Sequence, residues 1–466
     1  MRSDDPKEDG GDGDRPPSRR PCVAFVTLGC KVNRTESDAV AGELLGRGVE
    51  IVRDQSTADI VVINTCTVTG EADRKARKAV RHALRQPLEP AVLVTGCLAA
   101  LDAPGLRTLG DRVTVEADKA VVAPKVVALL GARLACRITP PAAPGPAGDR
   151  SATQGHAAPS TTRVMIKVED GCDNACTYCI VPKARGASRA VPADRLLAEI
   201  RALAAAGTRE IVLTGIDIGR YRSMPAPRDL SALLELIAAT GIPRVRLSSI
   251  EPPDVTTRFL STAARLPSVM PHLHIPLQSG SDRTLRAMGR TYTTDDFARM
   301  LAAAHAALPH LAATTDLIVG FPGETDADHA ASLAFVEACG FAKLHVFRYS
   351  RRPGTPAADM PGQVDPRHKA ARAAEMRALG VRLAAARAAT RIGGRADVLV
   401  ERVAVPVAGV AEGTSEDYLH VVIEGSHARP GDLVRVRITG PAPVARATLP
   451  ASVTAVEDPS PVVEST

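Results

Sequence analysis

The sequence has no tryptophan, and aromatic residues make up only 3% of it. A protein that stacks many bases on aromatic side chains is therefore not expected. Long apolar runs are also missing: the stretch 121–136 is interrupted by Lys125 and Arg133, so we expect no membrane span, which needs about 20 apolar residues. Residues 1–20 are charged and lack the apolar centre of a signal peptide. A cytoplasmic protein without a membrane partner is expected.

The cysteine count and the net charge further limit the kind of protein that the sequence can encode. The chain has nine Cys, an odd number, and six of them fall into two triplets. This pattern indicates metal ligation in a reducing compartment rather than a set of disulfides. The net charge of +6 permits nucleic-acid binding but does not establish it. A chain of 466 residues is long enough for two or three domains.

The most informative stretch is the C-x3-C-x2-C triplet of Cys172, Cys176 and Cys179. It follows the alternating run Val164–Val168, which predicts a strand, so three thiols share one loop at its carboxyl end. Thiolates favour iron–sulfur clusters and zinc. A zinc site would want a fourth ligand, and no Cys or His lies between Cys179 and His272. Three thiols on a 4Fe–4S cluster leave one iron open to chelate a small molecule. A structural zinc knuckle is the alternative.

The second triplet is spread along residues 21–136. Three β-branched runs alternate with helical patterns and predict an open parallel sheet: Val23–Leu28, Ile60–Ile63 and Val92–Val94. Each run ends near a cysteine, and these are Cys30, Cys66 and Cys97. Ligands of such sheets bind beyond the carboxyl ends of the strands, so the three thiols can converge. The alternative is three small residues buried at strand ends. Outside both patterns, and expected to be packing residues, are Cys22, Cys136 and Cys339.

Residues 163–365 repeat strand and helix after a linker, 137–162, that is rich in Pro, Ala and Gly, and with the basic helix that follows they form a domain over 163–395. Six strands are predicted, at Val164–Val168, Glu210–Leu213, Arg244–Leu247, His272–Leu277, Thr314–Val319 and Lys343–Phe347. Six units are too few for a closed eight-stranded barrel. Polar residues cluster after the strands, where the chemistry of parallel barrels gathers. His274 is one of them, and it fits a core histidine equally well.

Two basic helices are predicted, one over 365–395 and one from Arg74 to Arg85. A solvated charged face is the default interpretation of such helices, and contact with RNA phosphates is the functional one. Residues 396–448 alternate apolar and polar side chains between Gly and Pro breaks, which predicts a small antiparallel β-barrel. Disordered tails are predicted over 1–20 and 449–466.

The first triplet resembles the C-x3-C-x-aromatic-C signature of the radical S-adenosylmethionine (SAM) enzymes, with Tyr178 at the aromatic position. Thr27–Asn33, Asn64–Thr69 and Thr95–Cys97 resemble the amino-terminal domain of the methylthiotransferases, whose three Cys hold a second 4Fe–4S cluster. The Leu-Gly-Cys-Lys-Val-Asn wording is most similar to the MtaB branch, which modifies threonylcarbamoyl-adenosine in tRNA. The resemblance covers about residues 21–448. It implies an open (β/α)6 radical SAM barrel and a C-terminal TRAM-like, RNA-binding domain.

The same resemblance assigns pocket residues. Gly215 matches the motif that holds the amino group of SAM. Further positions that match the SAM pocket are Tyr178, Glu251, Gln278, the stretch Val319–Glu324 and the basic pair Arg185 and Arg189. Two positions depart from the family pattern: this chain has Ala190 where Ser is common and Glu169 where Gln is common. Only the local hydrogen bonds at these two positions are expected to differ from those of the family.

The activity that the resemblance implies is methylthiolation of C2 of adenosine 37 in tRNA. The C2–H bond has no acidic proton, so a radical is required and the cofactor carries that chemistry. The resemblance implies that SAM on the first cluster yields a 5′-deoxyadenosyl radical, that the second cluster supplies sulfur and that a second SAM supplies the methyl group. Electrons would come from a flavodoxin- or ferredoxin-like donor.

Three alternatives stay open. The first is a methylthiotransferase that acts on isopentenyl-adenosine in tRNA. The second acts on an aspartate of a ribosomal protein, but the basic helices and the Cys-Lys-Val-Asn wording argue against it. The third is a non-catalytic RNA-binding protein that contains zinc.

Overall fold

The structure is a computed structural model of the chain. It describes residues 20–133, 162–224, 228–403, 409–425, 427–441 and 451–457. The predictions for the N-terminal tail and the linker fall almost wholly outside these residues, and they stay predictions. Among the helices that the structure describes, none combines the length and apolar character that crossing a membrane requires.

The first domain is built on a five-stranded parallel sheet of order β2-β1-β3-β4-β5. Its strands are β1 (Cys22–Thr27), β2 (Glu50–Val52), β3 (Ile60–Thr65), β4 (Ala91–Gly96) and β5 (Val113–Val115). The three predicted strands are the three central ones. The outer strands, β2 and β5, were not predicted, because three residues are too few to show a strand pattern.

Helices cover both faces of this sheet. They are α1 (Lys31–Gly46), α2 (Gly70–Leu84), α3 (Cys97–Leu101), α4 (Ala103–Arg107) and α5 (Val122–Arg133). The central strand β3 contributes side chains to the apolar cores on both faces of the sheet. Val61 and Ile63 pack on one face, and Ile60 and Val62 pack on the other. Because β1, β3 and β4 are parallel neighbours, the cysteines that follow them meet at one edge of the sheet.

The second domain contains two three-stranded parallel sheets, of order β10-β9-β6 and β11-β12-β13. The strands are β6 (Arg163–Lys167), β9 (Glu210–Thr214), β10 (Arg244–Leu247), β11 (His272–His274), β12 (Ala312–Val319) and β13 (Lys343–Arg348). All six predicted strands are therefore present. A single bridge, between Ser249, which follows β10, and His274 of β11, links the two sheets. A small antiparallel pair, β7 (Glu169–Asp170) and β8 (Arg189–Ala190), flanks the loop of the first cysteine triplet.

The helices of this domain pack around the sheets over one large apolar core. They are α6 (Val181–Arg185), α7 (Ala193–Ala205), α8 (Leu230–Ala238), α9 (Thr257–Arg265), α10 (Asp282–Ala287), α11 (Thr294–Ala307), α12 (Asp326–Cys339), α13 (Pro356–Asp359) and α14 (Pro366–Thr390). Two of them begin with capping boxes, in which Thr293 pairs with Asp296 and Thr325 with Asp328. The basic stretch 365–395 is helical up to Thr390, as predicted.

The C-terminal strands form a closed barrel of order β14-β15-β16-β18-β17. They are β14 (Arg395–Val403), β15 (Val410–Ser415), β16 (His420–Glu424), β17 (Leu433–Pro441) and β18 (Ala451–Glu457). The antiparallel barrel predicted for this region is present, with four antiparallel pairings and one parallel pairing, that of β16 with β18. One prediction was wrong: β18 lies in the stretch 449–466, which we expected to be disordered. The stretch is rich in β-branched residues, and pairing with β16 and β17 closes the barrel and removes its free edges.

The C-terminal barrel docks at the amino ends of the strands of the second domain. Arg246 donates from Nη2 to the carbonyl of Ser415 (2.7 Å) and from Nη1 to that of Glu416 (3.1 Å). The buried carboxylate of Glu210 holds this guanidinium from the other side, with 2.8 Å between Oε1 and Nε. His272 stacks on Tyr418. This contact lies at the opposite ends of the strands from the cysteine loop, which leaves the carboxyl ends for the site.

Candidate active site

The first cysteine triplet sits on the loop between β7 and α6. Gly171 enters this loop with φ of +89°, and a Cβ there would lie 2.1 Å from the carbonyl oxygen of Ala187. Only glycine fits such a position. The amide of Asn174 donates to Sγ of Cys172 (3.4 Å), and the amide of Cys179 donates to the carbonyl of Cys176. The local backbone therefore folds the three thiols onto one partly buried patch.

Electrostatics show that these thiols face one another. Burial is the main cause that raises the pKa of the Cys179 thiol to about 12, and the charges of Cys176 and Cys172 contribute to this rise. Burial also raises the pKa of Cys172, with Asp217 and Cys176 adding to the effect. Without a ligand the thiol of Cys179 therefore stays protonated at neutral pH. A metal that replaces the protons would relieve the repulsion among them.

Arg290 is the residue that sequence reasoning missed at this triplet. Its Nη1 donates to Sγ of Cys176 at 3.0 Å, its Nε donates to the hydroxyl of Tyr292 at 3.0 Å, and its Nη2 donates to the carboxylate of Glu251. The guanidinium side chain is only 4% exposed. Glu251, predicted to line the pocket, is thus joined to Cys176 through Arg290. Nothing in the sequence near Arg290 indicates that it approaches a cysteine more than a hundred residues away.

The other predicted pocket residues occupy different positions. Tyr178 packs edge-on against Phe321, with 6.4 Å between ring centroids, so it does contact the stretch Val319–Glu324. Gln278 is buried and has φ of +70°. Arg189 is exposed, and its Nη2 donates back to the carbonyl of Arg185.

Gly215 lies against Glu169, one of the two departures from the family pattern. A Cβ at Gly215 would lie 2.9 Å from Oε2 of Glu169. The same carboxylate accepts the amides of Ile216 (2.9 Å) and Asp217 (3.1 Å). Burial raises the pKa of Glu169 to about 7, although the hydrogen bonds act in the opposite direction. The carboxyl group of Glu169, a position where the family usually has glutamine, therefore covers the loop after β9 and binds its backbone amides.

The second cysteine triplet meets at the edge of the first sheet. Cys30 is exposed, whereas Cys66 and Cys97 are buried. Gly29 has φ of +104°, and a Cβ there would lie 2.5 Å from Cβ of Cys66. Burial raises the pKa of the Cys66 thiol to about 11, and the charges of Cys97 and Cys30 contribute to the rise. The structure thus brings together three cysteines that are far apart in sequence.

One guanidinium connects the two triplets. Arg185, at the end of the helix that follows Cys179, donates from Nη1 to Glu36 of α1 at 2.9 Å and from Nη2 to Asn33 at 2.6 Å. Its positive charge lies near the Cys97 thiol and opposes the rise in the pKa of that thiol that burial causes. Of the predicted basic pair, only Arg185 plays such a part, since Arg189 is exposed. The loop that carries the first triplet therefore reaches a cysteine of the second.

The donor geometry bears on which metal group fits. Within the described residues, which include all six cysteines, no three His, Cys, Asp or Glu side chains are arranged to hold a single metal ion. Three thiols can each hold one iron of a four-iron cube, which leaves the fourth iron open. Cations at each triplet, Arg290 and Arg185, suit a group that carries negative charge.

The two basic helices differ in what their side chains do. On α14, buried Arg372 pairs with Glu324, and Arg387 pairs with Asp417 of the C-terminal barrel. Arg391, the residue that follows α14, pairs with the same Asp417. On α2, the exposed cations are Arg74, Lys75, Lys78, Arg81 and Arg85. Much of the charge of α14 is therefore used inside the protein, whereas α2 presents its charge to solvent.

A polar cleft of about 400 Å³ opens beside the first triplet. Its lining residues are Asp173, Ser188, Ala190, Arg220, Arg222 and Asp254. Behind it, burial and the charge of Asp254 raise the pKa of Asp217 to about 6. This cleft was not predicted, because its residues come from separate loops.

Comparison with known proteins covers both domains. The family model described as the radical SAM superfamily matches residues 166–336. The model described as uncharacterized protein family UPF0004 matches residues 22–115. The two matches contain the first and the second cysteine triplet, respectively.

Curated relatives extend over most of the chain. The threonylcarbamoyladenosine tRNA methylthiotransferase MtaB of Bacillus subtilis is 35% identical over 436 residues, which is 89% of this chain and 93% of the relative. MtaB of Thermotoga maritima is 37% identical over 350 residues, 73% of this chain and 78% of the relative. The tRNA-2-methylthio-N(6)-dimethylallyladenosine synthase of Parafrankia sp. is 36% identical over 446 residues, 90% of this chain and 87% of the relative.

Among solved structures, a similar one is TsrM of Kitasatospora setae, a radical S-adenosylmethionine methyltransferase with cobalamin and a 4Fe–4S cluster bound. It has a TM-score of 0.52 and 15% identity, and the match covers 73% of this chain and 77% of that one. At this identity the likeness concerns the fold alone.

Proposed function

The chain belongs to the radical SAM methylthiotransferases, and we propose that it methylthiolates C2 of N6-threonylcarbamoyladenosine at position 37 of tRNA. The observation that carries the proposal is that Arg185, six residues after Cys179, pairs with Glu36 of the first domain and lies near Cys97, so that the two thiol sites belong to one enzyme. Two relatives with 35% and 37% identity are named for the threonylcarbamoyl substrate. The enzyme uses 4Fe–4S clusters and SAM, as its family does.

We propose that six cysteines are the cluster ligands: Cys172, Cys176 and Cys179 for the first cluster, and Cys30, Cys66 and Cys97 for the second. When bound, these clusters and SAM supply a one-electron cleavage of SAM to the 5′-deoxyadenosyl radical and the sulfur that is inserted at C2. The SAM pocket is assigned to Tyr178, Gly215, Glu251, Gln278 and Arg189. Arg189 is the weakest of these assignments, because its side chain is exposed and folds back onto Arg185.

The protein's own residues position these groups. Arg290 donates to Cys176 and is itself held by Glu251 and Tyr292, so its cationic plane is fixed beside a thiolate. A hydrogen bond from a fixed cation stabilises the more negative charge state of a cluster. Arg185, from the other domain, lies near Cys97 and lowers the pKa of its thiol, so it would stabilise negative charge there in the same way. Each thiol site therefore has a cation of the protein beside it.

The finer architecture follows from this function. We propose that the two three-stranded sheets of the second domain form one open (β/α)6 barrel, and that the C-terminal barrel is a TRAM-like RNA-binding domain. The domain limits are 21–136, 163–395 and 396–457. The exposed cations of α2, which begins four residues after Cys66, supply phosphate contacts to tRNA. A cytoplasmic location and a flavodoxin- or ferredoxin-like electron donor complete the proposal.

The experiment replaces Cys30, Cys66 and Cys97 together by Ala. Given a chemical reductant, this variant should still cleave SAM to 5′-deoxyadenosine, because the first triplet is intact, and it should form no methylthio nucleoside in tRNA. Chromatography of 5′-deoxyadenosine and of digested tRNA from one reaction measures both products. The matched variant, with Cys172, Cys176 and Cys179 replaced, should form neither. A methylthiolated adenosine made by the first variant would refute the role given to the second triplet.

A further inference from the structure

Phe347 on β13 is an aromatic residue that the proposed chemistry has not used. The chain has seven phenylalanines, five tyrosines and no tryptophan, and the structure describes every one of them. Among these described residues Phe347 alone is exposed, at 43%, whereas the others are buried or half-buried. A single exposed apolar residue is ordinary on a protein surface, so the position of this ring decides what it can do.

The ring of Phe347 lies on the side of its sheet that leads to the first triplet. Alternate residues of a strand point to opposite faces of a sheet. Leu344 and Val346 pack against the large apolar core under the helices, so Phe347 is on the other face. Its partner in the parallel register is Ile318 of β12. Ile318 and Tyr178, the aromatic residue of the first triplet, pack against the same small apolar cluster.

The chain that follows Phe347 reaches the second triplet. Ser350 accepts the amide of Gly70, the first residue of α2, at 2.9 Å from its hydroxyl. Nη2 of Arg352 donates to the hydroxyl of Thr67. These two partners stand one and four residues after the middle cysteine of the second triplet. Short stretches of packed residues therefore link Phe347 to both triplets.

The charges near Phe347 favour a nucleic acid as its ligand. Lys343 and Arg348, on the same strand, are exposed. The helix α2, whose first amide Ser350 binds, carries the exposed cations that were assigned above to phosphate contacts. Proteins bind unpaired nucleotides with this combination, in which cations hold the phosphates and a flat ring holds the face of a base.

We propose that the ring of Phe347 stacks on the target adenine of the tRNA and holds its C2 edge within reach of both thiol sites. This inference rests on the proposed function, in which the radical and the sulfur both act at C2. The base must then lie where both triplets can serve it, and Phe347 is linked to both. Stacking uses the face of the base, so the edge that carries C2 and the N6 substituent stays open.

The first test is equilibrium binding of tRNA to the full-length protein loaded with its clusters, without reductant. One ligand is a tRNA with N6-threonylcarbamoyladenosine at position 37, and the other is the same tRNA with an abasic nucleotide there. Phe347→Ala should weaken binding of the first by about 5- to 150-fold, the contribution of one base–aromatic stack, and leave the second unchanged. The two changes remove the same contact, so together they should add little.

Three further variants separate stacking from a structural role. Phe347→Tyr keeps the ring and should bind both tRNAs as the wild type does. Phe347→Leu keeps an apolar side chain without the ring and should lose most of the affinity that Phe347→Ala loses. Val381→Ala trims another residue that is 43% exposed, and as the matched control it should change neither affinity.

The second test moves the abasic nucleotide to the position before or after 37, where the effect of Phe347→Ala should persist. If the effect disappears there but remains with the abasic nucleotide at 37, the ring stacks on a neighbouring base and the inference is overturned. Equal binding of the intact and the abasic tRNA to the wild type overturns it without any variant. Unchanged tRNA binding by Phe347→Ala overturns it too and assigns the ring to another partner, such as an electron-donor protein. A protein that gives the expected binding results but forms no methylthiolated product would refute the proposed function and leave the stack standing.

Discussion

Arg185 of the second domain and Glu36 of the first form an ion pair that is closed off from solvent. The distance from Nη1 to Oε1 is 2.9 Å, and the two side chains are 6% and 4% exposed. Lys119 and Lys167 approach the same carboxylate, each at 3.4 Å. One buried carboxylate therefore pairs with three cations, Lys119 of the first domain and Lys167 and Arg185 of the second.

Replacing Arg185 should loosen the joint between the domains. Arg185→Gln leaves the buried Glu36 with weaker partners, and the loss of one partner from a buried pair costs about 3–5 kcal/mol. We expect a lower midpoint in denaturant unfolding and a changed spectroscopic signature of the cluster on Cys97. Arg189→Gln is the matched control, because it removes an exposed arginine four residues away. Equal midpoints for the two variants would show that the pair contributes nothing to the joint.

Glu36 should make the free energy of unfolding depend on pH in the acidic range. Burial alone would raise the pKa of Glu36, but the charges of Lys119, Arg185 and Lys167 outweigh burial and hold it at about 2, below the ordinary value of 4.5. A carboxylate with a depressed pKa stabilises the fold fully above pH 4.5, and this contribution is lost as the pH falls towards 2. Over that window the wild type should lose about 3 kcal/mol that Glu36→Gln does not lose. Unfolding curves at several pH values for both proteins measure this, and parallel curves would contradict it.

Gly29 should be required for the second triplet. At Gly29→Ala, the new Cβ would overlap Cβ of Cys66, so the thiol has to move. Gly48→Ala is the matched control: its φ of +81° is also positive, but no atom lies within 4 Å of the added Cβ. Both substitutions carry the backbone strain of about 1 kcal/mol. Only Gly29→Ala should also lose about half of the roughly eight irons expected for two 4Fe–4S clusters. Iron analysis of anaerobically purified proteins decides, and full iron in both would contradict the prediction.

The exposed face of α2 should carry the salt dependence of tRNA binding. Arg74, Lys78 and Arg81 are spaced to lie on one helical face. Changing all three to Gln should weaken tRNA binding and reduce the slope of log affinity against log salt by about one for each lost phosphate contact. The matched control changes the exposed arginines of α14, which are Arg367, Arg377 and Arg382. If the α14 variant alters the slope and the α2 variant does not, the interface lies on the other helix.

The sequence predicted elements well where a single stretch carries the whole pattern. The strand before each of Cys30, Cys66, Cys97 and Cys172 shows a run of β-branched residues, and each is present in the structure. An element that depends on pairing with a distant part of the chain was not predicted. β18 was expected to be disordered because its stabilising contacts are pairings with β16 and β17.

The sequence also did not predict the side-chain contacts between distant parts of the chain. The arginines of the basic stretch 365–395 could not be told apart in the sequence, but the fold gives them different environments. Arg372 and Arg387 form internal ion pairs, whereas Arg377 is exposed. Arg290 illustrates the same limit, because its approach to Cys176 depends on how the loop after α10 packs. Composition and spacing identify which residues can bind a group, whereas the fold decides which of them reach it.

The unequal exposure of the second triplet has a consequence for how the protein matures. Cys66 and Cys97 are closed in by the sheet and by the neighbouring domain, and only Cys30 is open at the surface. A preformed cluster handed over by an assembly protein would have to meet Cys30 first and exchange onto the two inner thiols afterwards. Loss of Cys30 would then slow delivery as well as remove a ligand, whereas Cys66 and Cys97 would govern only how firmly the delivered cluster is retained.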